Sequence, residues 1–481
     1  MKVIMFSSEC HPFAKVGGLA DVVGALPKAL QKLHIEVEIV MPFYKKTQKG
    51  NFNFSKHPEV PELKIEGTFA GIYPLYQSKI PNTDIPVTFI SHPDFFEREG
   101  IYDDPKTGEG YKDQALRWIF FSKAGFNYLK NLKGRAHIVH CHDNHTGLLP
   151  AYIKYNKIPF KTVFHIHNIA YQGNYDMAYF PYTELPYEWT RPGEGLEFWG
   201  NLSFLKSGIV FSDKVVTVSP TYAKEVVEFS EFGMGMEGVL KAKGDDFSGI
   251  INGIDIDEWN PETDPLLPYH YSKDNLQNKE LVKETLLKTF KLPKLEDGIC
   301  LLGMVSRLAD QKGLDILSQA FEEMMNMPIQ IVILGTGQLI YHEILSSYAK
   351  KHPNLFGLKL GFDNAVAHLI EGGADIFLMP SHFEPCGLNQ MYSLRYGTVP
   401  LVRKTGGLAD TVLKVSEDGS NGYGFVFEGK EPQIFLDELK RALEFYKNKD
   451  LWRKIQKRGM EQDFSWEASA KKFINLYKSI I

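Results

Sequence analysis

Three short segments carry residues whose types and spacing suit the binding of a phosphorylated ligand. Lys15-Val16-Gly17-Gly18-Leu19-Ala20-Asp21 lies between the apolar run Val3 to Phe6 and a stretch with Val23, Leu26, Leu30 and Leu33 on one helical face. Paired glycines let a backbone approach a ligand, a helix N-terminus offers free N–H groups, and Lys15 adds a mobile cation. The spacing is neither G-x-G-x-x-G nor a Walker loop, which argues against a dinucleotide or P-loop site. An ordinary tight turn with an exposed lysine would look the same.

The second segment is Ser306-Arg307-Leu308-Ala309-Asp310-Gln311-Lys312-Gly313, after the apolar run Cys300 to Val305. It puts two cations at the carboxyl end of a strand, where an open α/β sheet binds its ligand. Arg supplies a fixed fork of donors to phosphate oxygens and Lys a point charge, a pairing suited to stabilising a diphosphate as it leaves a sugar. A local pair between Arg307 and Asp310 is the plain alternative. The third segment is Glu384-Pro385-Cys386-Gly387-Leu388-Asn389-Gln390, followed by Thr405-Gly406-Gly407-Leu408. Glu384 has the chemistry to accept hydrogen bonds from sugar hydroxyls, and Thr405 to Gly407 to form a second anion-binding turn. Turn residues around one acid would read alike.

His140-Cys141-His142-Asp143-Asn144-His145 and His165-Ile166-His167-Asn168 resemble metal ligands at first sight. Their order does not match the usual H-x-H-x-D-H of dinuclear sites, and Cys141 alternates away from its neighbours on a strand. His167 and Asn168 are better read as substrate contacts at a strand end, with Asp143 near the end of the preceding strand. No metal and no cofactor is expected.

These segments need a scaffold of alternating strands and helices. Apolar runs at Val3 to Phe6, Val37 to Met41, Ile138 to His140, Thr162 to His165 and Lys214 to Val218 predict strands in the first half. Cys300 to Val305, Ile329 to Leu334, Ile376 to Met379 and Pro400 to Val402 do so in the second. Amphipathic stretches between them imply βαβ units and two parallel sheets. A chain of 481 residues suits two such domains. We expect 1–250 and 251–460 as Rossmann-like domains, and 461–481 as a helix crossing back to the first. In that helix Trp466, Ala470, Phe473 and Tyr477 share a face.

Composition excludes several classes. A net charge of -5 suggests no bulk attraction to nucleic acid or to a membrane surface. Four scattered cysteines form no C-x-x-C pair, arguing against a zinc ribbon or a disulfide scaffold. The apolar N-terminal run is too short for a secretory h-region, and no run approaches the length that spans a bilayer. A reducing cytoplasm is the simplest compartment.

In order along the chain, K-V-G-G-L-A-D-V, H-N-I-A-Y-Q-G, N-G-I-D, S-R-L-A-D-Q-K-G, E-P-C-G-L-N-Q and T-G-G-L-A-D-T-V resemble the bacterial glycogen synthase and plant starch synthase family. The likeness runs from residue 1 to about Trp466. It implies a GT-B fold, with two doubly wound Rossmann-like domains facing a cleft. It also implies retaining transfer of glucose from ADP-glucose to the non-reducing 4-hydroxyl of glycogen or a malto-oligosaccharide. No bound metal is required.

Carried onto this sequence, the resemblance assigns Lys15, Arg307 and Lys312 to the diphosphate and Glu384 to the donor glucose, with amides near Cys386, Gly387 and Leu388. His167 would sit by the donor sugar. Gly17, Gly18, Asn252 and Thr405, Gly406 and Gly407 belong to donor binding; Asp21, Asp143, Asn168 and Gln172 complete the sugar shell. Many retaining GT-B enzymes carry a second Glu eight positions after the first; here it is Tyr392, which sets the chain apart from the animal and fungal branch that uses UDP-glucose. Other readings are a retaining sucrose- or trehalose-type transferase with a small acceptor, or a glucan-binding scaffold without catalysis. The presence of Lys15, Arg307, Lys312 and Glu384 together weighs against the last.

Overall fold

In the computed structural model, which describes residues 1–132, 137–294, 296 and 298–481, the apolar runs form two separate sheets. The chain divides into two compact units: residues 1–218, 223–253 and 466–481, and residues 219–222 with 254–465.

The first unit is built on a ten-stranded sheet. Seven of its strands are mutually parallel: Lys2–Phe6, Glu36–Pro42, Pro86–Ile90, Ile138–His142, Lys161–Ile166, Lys214–Thr217 and Phe247–Gly249. Numbered by their order in the chain, they lie side by side as 3-2-1-4-5-6-7. Antiparallel strands, among them Gly71–Lys79, extend the edge beside Pro86–Ile90. Val3, Ile4, Met5, Ile39, Val139 and Val163 are fully buried, as a parallel sheet covered on both faces requires. That is why these strands read as continuous apolar runs.

Two helices of this unit matter for the site. Gly18–Lys32 buries Val22, Val23, Leu26 and Leu30 along one stripe. The C-terminal helix Trp466–Lys478 packs on it, burying Ala470, Phe473 and Tyr477. Lys32 pairs with Glu467 at 2.8 Å, and Ser469 Oγ donates to the Ile251 carbonyl at 2.7 Å.

The second unit has a six-stranded, wholly parallel sheet. Its strands are Cys300–Leu308, Ile329–Gly337, Phe356–Leu360, Ile376–Met379, Val399–Arg403 and Phe425–Phe427, arranged 3-2-1-4-5-6. One apolar cluster with Leu302, Ile331 and Leu378 fills one face, and another with Leu301, Val332 and Phe377 fills the other. Alternate residues of each strand therefore serve opposite layers.

Both sheets reverse their winding between their first and fourth parallel strands. In open α/β sheets the crevice at that reversal, beyond the carboxyl ends, is where ligands bind. The reversal falls between Lys2–Phe6 and Ile138–His142 in one unit, and between Cys300–Leu308 and Ile376–Met379 in the other. The second and third of these strands outrun the sequence expectation: Ile138 continues to His142, and Cys300 to Leu308, so Arg307 stands within the strand. The four cysteines are buried thiols outside any disulfide. Among the described residues no helix is long and apolar enough to cross a membrane.

Candidate active site

In the first unit the reversal point is lined by the loop after Phe6 and by Asp143. The double-glycine loop is held from beneath by a residue the sequence reading missed. Glu9 is 3% exposed, and its Oε2 accepts the Val16 and Gly17 N–H groups at 2.5 and 2.9 Å. Its Oε1 accepts the Tyr102 hydroxyl at 2.6 Å. The backbone cradle expected for a phosphate is thus partly filled by the chain's own carboxylate. The remaining features of the loop face outward: Lys15 Nζ pairs with Asp21 at 2.6 Å, both half exposed, and a Cβ at Gly17 or Gly18 would meet nothing within 4 Å. A sequence signal for Glu9 existed, since an acid just past an otherwise apolar first strand must find partners.

Asp143 follows the Ile138–His142 strand with φ 55° and ψ 179°, a conformation costly for a residue with a Cβ. Its own N–H bonds the His165 carbonyl at 2.9 Å, and its Oδ1 accepts the His167 N–H at 2.8 Å. Burial pushes its carboxyl up to about 7, with nearby Glu9 adding to the rise against the amide bond that lowers it. Asn168 Oδ1 caps its own turn by accepting the Ala170 N–H at 3.0 Å, and Gln172 Nε2 donates to the Met234 carbonyl at 3.0 Å. Asn252 is buried with its Oδ1 unpartnered.

Alternation along the two parallel strands stacks His140, His142, His165 and His167 on one face. His142 and His167 share a hydrogen bond of 3.0 Å from Nδ1 to Nε2, and His140 Nδ1 meets the Tyr477 hydroxyl at 2.8 Å. Burial drives His140 and His167 down to about 3, and His142 and His165 well below the usual range, so the imidazoles are neutral. Ring nitrogens of His140, His142 and His165 lie within 4.8 Å of one another, a cluster with metal-ligand chemistry. His140 stacks on His142 and on His165, with interplanar angles of 23° and 13°, and His142 and His165 are tilted by 36°.

In the second unit Lys312 and Glu384 come from the turns that follow the two strands flanking the reversal. Lys312 Nζ lies 2.5 Å from Glu384 Oε2, and the Ser381 hydroxyl supports the same oxygen at 3.3 Å. Arg307 is exposed and donates from Nη2 to Gln311 Oε1 at 2.9 Å; the sequence alternative of an Arg307–Asp310 pair is not what forms. Asp310 instead accepts the Tyr341 hydroxyl at 2.5 Å. Gln311 also donates to the Phe383 carbonyl at 3.0 Å, tying the Arg307 loop to the Glu384 loop.

The glycines of the third segment are demanded by close backbone approach. A Cβ on Gly406 or Gly407 would sit 2.0 Å from the carbonyl oxygens of Glu384 or Cys386, and Gly387 has φ +70°. Thr405 to Gly407 therefore lies directly against Glu384 to Cys386, while Leu388 precedes the helix Asn389–Arg395. Tyr392, at the position of the absent second glutamate, stacks on Trp259 at 3.8 Å, and Trp259 stacks in turn on His368. A further residue escaped the sequence reading: Phe362, 89% exposed, two residues beyond the Phe356–Leu360 strand on this same carboxyl edge.

Residues 2–242 match the family described as the starch synthase catalytic domain, and residues 289–460 match the glycosyl transferases group 1 family. A glycogen synthase of Thermosipho africanus is 43% identical over 100% of this chain and 99% of its own. The catalytic domain of starch synthase IV from Arabidopsis thaliana, solved bound to ADP and acarbose, superposes with a TM-score of 0.86 at 33% identity, covering 99% of this chain and 98% of that one. A sucrose-phosphate synthase from Thermosynechococcus elongatus shares the fold at TM-score 0.57 and 14% identity, over 99% and 98% of the two chains.

Proposed function

The chain belongs to the glycogen and starch synthase family of glycosyltransferases with the GT-B fold, and we propose that it extends an α-1,4-glucan by retaining transfer of glucose from ADP-glucose to a non-reducing 4-hydroxyl, releasing ADP. The observation that carries the reading is the group Arg307, Lys312 and Glu384 at the strand reversal of the second sheet.

In this reading Arg307 and Lys312 take the donor diphosphate and stabilise the charge that develops on ADP. Lys15 has the same assignment, helped by the open space over Gly17 and Gly18. Glu384 receives donor glucose hydroxyls, with the amides of Cys386, Gly387 and Leu388 and the Thr405 to Gly407 turn completing the shell. The exposed ring of Phe362 offers a platform for the nucleoside base, and stacking rewards the larger purine surface of ADP over the uracil of UDP. His167, Asp143, Asn168, Gln172 and Asp21 form the sugar side, and Asn252 contributes to donor binding.

Retention usually calls on a carboxylate nucleophile. Glu384 is engaged by Lys312 and Ser381, and Asp143 by the His167 amide. Front-face displacement suits these commitments better. As the anomeric C–O bond to phosphate breaks, the departing phosphate oxygen takes the proton of the acceptor 4-hydroxyl, and the new C–O bond forms on the same face.

The test is incubation with labelled ADP-glucose or UDP-glucose against glycogen, fructose and glucose 6-phosphate. The reading expects label in glycogen from ADP-glucose, released as α-linked glucose by digestion. Label appearing only in a disaccharide would favour the small-acceptor transferase instead.

A further inference from the structure

The hairpin Glu197–Phe198 to Asn201–Ser203 turns through two residues, Trp199 and Gly200, with φ of +49° and +80°. Positive φ at both loop positions is the pattern that Asn-Gly satisfies without strain. A tryptophan there is a backbone outlier, and it is 78% exposed. Nothing about folding favours that choice.

The surroundings hold the ring in one place. It stacks on the buried ring of Phe198 at 5.1 Å and 9°. Gly235 closes against the pair: a Cβ there would lie 2.9 Å from Phe198 and 3.2 Å from Trp199. The residue before it, Met234, is a second non-glycine in the left-handed region, at φ +51°. Met234 gives its carbonyl to Gln172, one of the residues expected in the sugar shell. The hairpin is also the sheet partner of Asn174–Asp176, whose Asn174 donates to Gln172 at 2.9 Å. A rigid aromatic plate thus continues from the Gln172 loop within one unit.

We propose that Trp199 is a stacking platform for a glucose unit of the bound α-1,4-glucan acceptor. The inference rests on the proposed function and adds a subsite to it. A pyranose presents a face of C–H bonds that lies flat on an indole, and one face of the indole is open. Strain at positions 199 and 234 then has a use: it fixes the plate beside the sugar shell before the chain arrives.

The test replaces Trp199 by Asn, which suits the turn and removes the ring, and by Phe, which keeps a smaller plate. W199N is expected to melt at or above the wild-type temperature. Its KM for maltoheptaose should rise roughly tenfold, with retardation by glycogen in native gels reduced, while donor KM and turnover at saturating glycogen stay within about twofold. W199F should fall between. Unchanged acceptor KM and gel retardation in W199N overturns the platform, as does a loss confined to turnover or accompanied by lowered thermal stability. A wild-type enzyme that transfers no glucose to glycogen would instead sink the proposed function itself.

Discussion

Lys312 and Glu384 form an ion pair of 2.5 Å, with the glutamate side chain 8% and the lysine 21% exposed. The two groups proposed for opposite ends of the donor, phosphate and hexose, therefore offset each other's charge. In the proposed reaction a donor would exchange this ion pair for its own phosphate and hydroxyl contacts.

Removing the cation tests this arrangement. Lys312→Ala should lower turnover roughly 100-fold or more while raising the donor KM far less, because the charge it meets grows as the bond breaks. Steady-state kinetics with ADP-glucose and glycogen separates the two; a loss confined to donor KM would assign Lys312 to ground-state binding alone.

Gly18→Ala probes the open space over the first loop. An added methyl meets nothing within 4 Å, and alanine is the better helix residue, so the melting temperature should hold or rise. Donor KM should increase severalfold if a phosphate approaches that backbone. Unaltered kinetics would place the donor elsewhere.

Asp143 gives a pH-dependent signature. Its carboxyl titrates near about 7 when folded and near about 3.9 when unfolded, so the folded state binds more protons between those values. Stability from this group therefore falls as pH rises across that window. Asp143→Asn removes the effect: relative to wild type it should gain more in melting temperature at pH 8 than at pH 5, although activity is lost. An equal shift at both pH values would contradict the assignment.

The stacked histidines act in the opposite direction. Folding holds His140 and His167 neutral down to about 3, whereas unfolded imidazoles protonate below about 6.5. The unfolded chain thus takes up more protons in acid, and wild-type stability should decline steadily from about pH 6.5 downward. Denaturant unfolding at pH 7.5, 6 and 5 reads the slope. His140→Asn should flatten it; an unchanged slope would show that another group drives acid unfolding.

Phe362→Ala should raise the KM for ADP-glucose roughly fivefold to tenfold without lowering turnover at saturation, the signature of a uniform binding contact. Its effect on the KM for UDP-glucose should be smaller, which a two-donor assay would check.

Much of this molecule was readable from one dimension. Apolar runs such as Val3 to Phe6 and Cys300 to Val305 announce buried parallel strands because both faces must shed water. The glycines at 17, 18, 387, 406 and 407, and the cations at 15, 307 and 312, stood out because turn and anion-binding chemistry need those residue types at strand ends. The length of the Cys300–Leu308 strand was less legible, since Ser306 and Arg307 are polar and end the apolar signal before the hydrogen-bonded ladder ends.

Residue types and their order were enough to determine the α/β class, the family and the set of charged groups available for phosphate and sugar. Three-dimensional packing alone decided which of those groups meet. The Glu384–Lys312 pair spans 72 positions, Glu9 reaches under the glycine loop, and four histidines share one face through parallel pairing. Such partnerships depend on strand order and register, which arise from burying both sheets at once and leave no local periodicity behind. The strained Trp199 belongs with them: its side chain reads as one more aromatic until the turn around it is seen.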